Sequence, residues 1–395
     1  MSELDALLIH GSKAFSKNEL SRRAEKHGFT QPQILELFAW DYEVACQLQR
    51  LSENLVLKGG AAAQLYLPTE VQRGSVDVDL TTNLGAAEVE QLMAKLSKRF
   101  EKFKPYFQFR RYKPKAPKIN VPMNTYEVML PSVFQESCSI KLDVLTSKLS
   151  LPKAELTSTE TFALNVSSVK ALSLGALIGD KILTLAKETI GIESEENYPK
   201  QIYDVEMLTF KSGKLTEKEI RNAAETIEKI VAEEAKFRNI EATPQKVLED
   251  VEKTMIQYSQ VDTTTAKPST KRCINNFQQF YVNKKERQTK LYEWSCRALR
   301  IKFLATLMKS NMTGEIKAEK AFQIIQKSQE TSSMIKEAGK LDTQKIRTQL
   351  LAHAQTRIPH YKELRGKPAE RVLWQVLTPN NIDEIAEIIQ NSLQV

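Results

Sequence analysis

LVLKGGAAAQLYLPTEVQRGSVDVDL, residues 55–80, opens with Leu55-Val56-Leu57, an apolar run of strand type. At Gly59-Gly60 the backbone can approach a ligand closely, because neither residue carries a Cβ. Ala61 to Leu67 predicts a short helix, since Ala61, Ala62 and Ala63 are strong formers, and the N–H groups at its start suit a phosphate. After a break at Pro68, Ser75 to Leu80 alternates. On a strand, Asp77 and Asp79 share one face, and Val76, Val78 and Leu80 the other. The two carboxylates then stand about 7 Å apart at their Cα atoms. That separation suits a pair of Mg²⁺ ions about 3.5–4 Å apart, the geometry used to transfer nucleotidyl groups. Mg²⁺ takes a few carboxylates plus substrate phosphate oxygens rather than a full protein cage. A phosphate turn followed by D-x-D on a strand is therefore a coherent site, where either half alone is a weak signal. An isolated D-x-D is more often an ordinary solvated strand face.

Composition bounds what surrounds this stretch. The 395 residues can hold two or three domains, each with its own core. A hydrophobic content of 41% with only 13 Gly and 14 Pro predicts a globular, mostly helical chain. No run of about 18 apolar residues occurs, so no transmembrane helix is expected. Residues 1–30 are interspersed with charge and lack an apolar signal core, which predicts a cytoplasmic protein. Cys46, Cys138, Cys273 and Cys296 are far apart and only four His are present, so neither a zinc site nor a disulfide framework is expected. The 57 Lys and Arg exceed the 49 acidic residues by eight, which is compatible with a polyanionic partner without requiring one.

Upstream, Ser16-Lys17-Asn18-Glu19 predicts a helix start by its capping box, and Thr30 with Gln33 repeats the signature. Gly28 is placed to end the first helix, and apolar residues from Ile34 to Leu48 recur at helical spacing as far as Leu51. Downstream, Ala86–Phe103 is an amphipathic helix, followed by strands over Tyr106–Tyr112, Thr125–Leu130 and Ser137–Leu145. A Pro-broken loop with Arg110, Arg111, Lys113, Lys115 and Lys118 lies between the first two strands; it is either a guide for a phosphate backbone or a solvated basic hairpin loop. Within Ser139-Ile140-Lys141-Leu142-Asp143-Val144-Leu145 a second alternating strand carries Asp143, the candidate for a third carboxylate downstream of the pair.

The pattern L-K-G-G…R-x-S-x-D-x-D-L, residues 57–80, resembles the nucleotidyltransferases of the AbiEii/MenT toxin group, within the polymerase-β-like nucleotidyltransferase superfamily. The resemblance covers roughly residues 50–210. It implies an α+β fold: a nucleotidyltransferase core with a small mixed β-sheet, N-terminal helices before it and a large helical C-terminal region after it. Residues 1–52, 53–165, 166–258 and 273–395 are the expected divisions. In the superfamily a third carboxylate on a neighbouring strand completes the metal site, which implies Asp77, Asp79 and Asp143 as ligands of two Mg²⁺ ions. The helix expected over Ser173–Ile190 carries Lys181 at the family's S-L-x-x-L-x-x-x-K position, implying a contact to a nucleoside triphosphate (NTP). Lys200-Gln201-Ile202-Tyr203-Asp204-Val205 resembles the family's R/K-D-x-Y-D-L motif, with Asp204 at its final Asp, orienting Lys181 or a nucleotide group. Asp77, Asp79, Asp143, Lys181 and Asp204 are thus the expected catalytic set, and Lys58, Gly59, Gly60, Arg73, Ser75 and Lys181 the expected nucleotide-binding set. Two positions depart from the family: Ala61 stands where Ser or Thr usually follows Gly-Gly, and Gln201 where the second motif has its first Asp.

What the resemblance implies about activity is transfer of a nucleoside monophosphate from an NTP to an RNA acceptor, particularly the 3′ end of tRNA, inhibiting translation. It also implies a cognate antitoxin as partner. Two other readings stay open: a nucleotidyltransferase acting on a small molecule or a protein, and a non-catalytic RNA-binding or antitoxin-binding protein. Beyond the resemblance, Glu217–Lys236 and Pro244–Tyr258 predict helices, residues 259–272 a linker, and Ile274 to Met312 a basic helical stretch with interleaved aromatics. That stretch suits an RNA face, although aromatics at helical spacing are more often core. The remaining helices are expected over Lys317–Ala338, Thr343–His353, Glu370–Leu377 and Asn381–Leu393.

Overall fold

The structure is a computed structural model in which residues 2–112, 121–358 and 361–393 are described. The chain forms two compact units. The first comprises Met1–Ile178, Ala232–Glu241 and Asn276–Gln288; the second comprises Gly179–Val231, Ala242–Asn275 and Thr289–Val395.

The first unit begins with four helices: α1 (Glu3–Leu7), α2 (Gly11–Ala14), α3 (Lys17–His27) and α4 (Pro32–Leu51). Ser16 caps α3 by accepting from the Glu19 N–H, and Gly28 ends it at φ +72°, as the sequence predicts. The second capping signature does not act. Gln31 is the N-cap of α4, and Pro32 starts the helix without a side-chain cap. Proline there has no N–H to be satisfied and its φ is already helical.

The sheet strands are β1 (Val56–Lys58), β2 (Asp77–Thr82), β3 (Gln108–Tyr112), β4 (Met123–Pro131), β5 (Ser137–Thr146), β6 (Lys153–Glu160) and β7 (Asn165–Leu172). Helix α5 (Gly59–Gln64) joins β1 towards β2, and α6 (Ala86–Arg99) follows β2. The order is β3-β4-β5-β2-β1-β7-β6. β2 pairs parallel with β5 and β1 parallel with β7, while the other pairs are antiparallel. The sheet is larger than its motif-bearing strands suggest, because the β6–β7 hairpin extends it beside β1. β6 has no buried residue, so no apolar run marks it in the sequence.

Alternation gives the sheet two chemically different faces. Val78, Leu80, Leu142, Val144, Tyr126 and Val128 are all buried on one. Helix α4 packs against β2, β5 and β7 and is buried on every side from Phe38 to Leu48, as a core helix must be. Its polar residues need internal partners. Glu36 accepts from the Ser132 hydroxyl and the Val133 N–H, and Glu43 from the Ile9 N–H. Gln47 donates to the Leu7 carbonyl.

The second unit is helical. Helix α7 (Leu174–Leu183) begins in the first unit's sequence and ends in the second's. It stops seven residues short of the expected Ile190. The Thr184 hydroxyl binds the Lys181 carbonyl at 2.6 Å, and the Gly191 N–H turns back to the Ala186 carbonyl at 2.7 Å; such local bonds offer the backbone an alternative to continued helix. Then come α8 (Tyr198–Phe210), α9 (Glu217–Arg238), α10 (Pro244–Tyr258), α11 (Pro268–Phe280), α12 (Leu291–Met312), α13 (Ala318–Glu337), α14 (Lys340–Arg357), α15 (Ala369–Val376) and α16 (Ile382–Leu393), the C-terminal ends of α9 and α11 belonging to the first unit.

One expectation fails in this unit, and one alternative left open by the sequence is decided towards core. Residues 259–272 are not a linker: Ser259 and Val261 are buried in a 3-10 turn, Asp262 pairs with Lys367 at 2.9 Å, and α11 starts at Pro268. Nor do the arginines of α12 face outward. Arg297 is buried with its Nε 3.0 Å from Glu206, and Arg300 bridges Glu206 and Glu370. Arg297 stacks over Tyr203 and Trp294, and Arg300 over Trp374. An ion pair and an aromatic face together replace the water these guanidiniums lose.

Candidate active site

The site in the first unit grows from the turn between β1 and α5. Gly59 has φ +72°, a left-handed conformation that glycine adopts without steric cost. A Cβ at this position would lie 1.8 Å from the Asp79 Oδ2. The carboxylate of β2 therefore rests against the turn, in space only glycine leaves. At Gly60 a Cβ would meet the Ser75 Oγ at 2.8 Å and the Arg73 Nη2 at 3.0 Å. Lys58, Gly59, Gly60, Arg73, Ser75 and Asp79 thus converge around one bend. Helix α5 is only six residues long, so its macrodipole is small and the closeness of the backbone matters more.

The loop from α5 to β2 is fixed by buried amides. Gln72 donates to the Gln64 and Leu67 carbonyls at 3.0 and 2.9 Å and accepts from the Phe162 N–H at 2.9 Å. The Arg73 N–H donates to Gln64 Oε1 at 2.9 Å, and its guanidinium to the Gly74 carbonyl at 2.7 Å. Tyr42 on α4 donates to the Ala61 carbonyl at 2.9 Å. Ala61 is completely buried, which leaves its position no room to offer a hydroxyl to solvent.

Strand pairing carries the site across the sheet. Asp79 faces Lys58 of β1 on one side and Asp143 of β5 on the other, and Asp77 faces Lys141. Thr125 of β4 comes next to Asp143, and Glu127 next to Lys141. All lie on the face opposite Val78 and Leu80. Asp143 is buried and fully engaged, taking the Thr125 hydroxyl at 2.5 Å and the Lys141 ammonium at 2.6 Å. Burial works against the charge on Lys141, but the hydrogen bond and charge of Asp143, with Asp77 and Asp79 beyond, outweigh it and hold the ammonium above its ordinary pKa.

Sequence reasoning passed over two residues here. Lys141 stands two positions before Asp143, and the alternation that placed Asp143 on the polar face places Lys141 there too. Asp41 interrupts the apolar stretch of α4, is completely buried, and has no hydrogen-bond partner for either oxygen among the described residues. Burial, and then the negative charges of Asp77 and Asp79, push its pKa well above the carboxylate range. An acid within Phe38-Ala39-Trp40-Asp41-Tyr42 is a visible signal, because such a position normally requires a partner.

Lys181 and Asp204 belong to the second unit, where they form a pair of their own: Nζ to Oδ2 is 2.7 Å, with side chains 4% and 0% exposed. Lys181 is thus no surface lysine. Gln201 also accepts from it, at 3.3 Å, so the position that departs from the family motif still serves the same ammonium. Lys113, Lys115 and Lys118 of the basic loop lie outside the described residues.

The oxygen donors suit a hard divalent cation. Asp77 and Asp79 are half-buried carboxylates on one face, and Asp79 lies against the glycine bend; a few carboxylates of this kind plus substrate phosphate oxygens are what Mg²⁺ takes. Among the described residues no group of three or more His, Cys, Asp or Glu side chains is gathered as a complete metal cage. Nor is any helix among them long and apolar enough to cross a membrane.

The family model for "Nucleotidyl transferase AbiEii toxin, Type IV TA system" matches residues 45–280, well over half of the chain. No curated protein matches. Among solved structures, an antigenic nucleotidyltransferase-like protein from Paracoccidioides brasiliensis is similar at 16% identity and a TM-score of 0.32, over 52% of this chain and 94% of that one, too loose a likeness to argue from. The family match takes in the glycine bend, the D-x-D strand, Asp143, Lys181 and Asp204 alike, and the chain belongs to the AbiEii nucleotidyltransferase toxin family.

Proposed function

We propose that this nucleotidyltransferase toxin moves a nucleoside monophosphate from an NTP to a hydroxyl of an RNA acceptor, the 3′ end of tRNA being the acceptor its family resemblance favours. The observation that carries the proposal is the contact of Asp79 with Gly59, which sets a carboxylate directly against a bend able to receive phosphates. Asp77 and Asp79 would hold Mg²⁺, with Asp143 as a third carboxylate on the neighbouring strand. When bound, Mg²⁺ supplies charge neutralisation of the triphosphate and a lowered pKa for an attacking hydroxyl.

The chain's own groups do the rest. Gly59 and Gly60 offer backbone N–H groups to the triphosphate, and Lys58 and Arg73 add positive charge beside it. Ser75 lies over Gly60 and supplies the hydroxyl that Ala61 lacks. The family resemblance assigns Lys181, held by Asp204 and Gln201, a contact to the triphosphate. Asp143 takes the proton of the acceptor hydroxyl, with Lys141 and Thr125 fixing its two oxygens. The new bond joins the acceptor oxygen to the α-phosphorus, the α–β bridge breaks, and pyrophosphate leaves. As a toxin of a type IV system the protein has an antitoxin partner.

The test is incubation with each α-labelled NTP, Mg²⁺ and total RNA, followed by separate digestion with ribonuclease or protease. Label removed by ribonuclease alone is the expected result. Label that survives ribonuclease and is lost with protease, or that remains in a small molecule, would overturn the RNA acceptor.

A further inference from the structure

The polar face of the sheet does not end at Asp143. Lys141 pairs with Glu127 and Glu127 with Arg110, so one row runs Asp77–Lys141–Glu127–Arg110 from β2 to the edge strand β3. A second row runs Asp79–Asp143–Thr125–Tyr112. Register partners share a face, so Arg110 and Tyr112 point to the same side as the acids. Both are exposed, Tyr112 by 56%. Their neighbour Arg111 faces the other way and pairs with Glu90 of α6 at 2.8 Å, whereas Arg110 makes no salt bridge among the described residues. Tyr112 is thus a solvent-facing tyrosine with an exposed guanidinium two residues away on the same face.

Three strand spacings of about 4.8 Å separate these side chains from the acids, about 14 Å in all. A single nucleotide at the acids does not reach that far. At about 3.4 Å per nucleotide of a stacked strand, about four linked nucleotides do. A planar ring and a guanidinium beside it match what a single strand presents, a base face and a phosphate. We propose that Arg110 and Tyr112 form the upstream acceptor subsite, on which a single-stranded polynucleotide lies with its 3′-terminal hydroxyl at Asp77 and Asp79. Tyr112 stacks on a base about four nucleotides back from the terminus, and Arg110 holds the phosphate beside it. This rests on the RNA-acceptor reading above and gives that acceptor a minimum length and a direction.

The test uses the full-length protein and 5′-fluorescein RNA oligonucleotides of two to ten nucleotides. Binding is read by anisotropy in EDTA, and 3′ extension by gel with Mg²⁺ and NTP. The expected result is that affinity rises sharply once the strand is long enough to reach β3. Tyr112→Ala and Arg110→Ala should each weaken binding of the longer strands by about fivefold or more while leaving dinucleotides and NTP affinity unchanged. Tyr112→Phe should keep wild-type binding because it keeps the ring. Equal affinity at every length, or alanine variants that bind as wild type, would overturn the subsite while leaving transfer to RNA intact. If RNA binding shows the expected length dependence and both alanine losses but no NTP is consumed, the subsite stands and the transferase reading falls. If the two alanine variants instead impair labelling of a protein acceptor and leave RNA binding unaffected, the surface recognises a polypeptide and the proposal is wrong.

Discussion

Asp41 and Gly59 are two residues of the site region whose environments can be tested one at a time. A carboxyl whose pKa is raised by burial binds its proton more tightly in the folded chain than in the unfolded one. Its cost to stability is therefore absent below the unfolded value of about 3.9, grows as pH rises towards the raised folded value, and is constant above it. Asp41→Asn removes that cost. With EDTA present, the variant is expected to have a higher Tm than the parent at pH 7, the gap closing as pH falls towards 4; thermal unfolding across pH checks it, and a gap independent of pH would refute the assignment. Gly59→Ala acts in the opposite direction. A side chain at φ +72° costs about 1–3 kcal/mol, and the Asp79 carboxylate must leave the space the new Cβ fills. Lower stability together with loss of NTP-dependent labelling is expected. Gly213, also left-handed but with open space around it, is the control: Gly213→Ala should lose stability only.

The elements differ in how far they could be read before the fold was known. The β1 to β2 stretch is legible because a Gly-Gly bend and strict Asp/Val alternation are local signals, and β5 is legible for the same reason. The pairing of Asp79 with Asp143 is not local, and neither is the row that runs on to β3, since register is set by contacts between distant segments. Helix α12 misleads for a different reason: Arg297 and Arg300 count as charge in the sequence whether they meet water or Glu206. The same holds for Lys181 on α7 and Asp204 on α8, where burial decides the energetics. Asp204→Ala would leave a buried ammonium without its carboxylate, at a cost of about 3–5 kcal/mol. The double variant Lys181→Met/Asp204→Leu should lose less than Asp204→Ala alone, because no charge is stranded. Denaturant unfolding of the parent and the two variants measures this, and a double variant that loses as much as Asp204→Ala would contradict the stranded charge.

At the scale of the whole molecule, the excess of eight positive charges states a tendency and not a place. Part of the basic content neutralises internal acids at Glu206, Glu370 and Asp204. On the function proposed above, the activity rests not on overall charge but on a local set of oxygens at a glycine bend, in a chain whose family is that of nucleotidyltransferase toxins. The most direct measurement compares the full chain with its Asp79→Asn variant for release of pyrophosphate and transfer of label from α-labelled NTP, over a Mg²⁺ titration and with folding checked by circular dichroism. The parent should transfer label in a Mg²⁺-dependent way, and the variant should retain its fold while its rate falls by about a hundredfold or more. A folded Asp79→Asn protein that transfers label at the parent's rate would contradict the account.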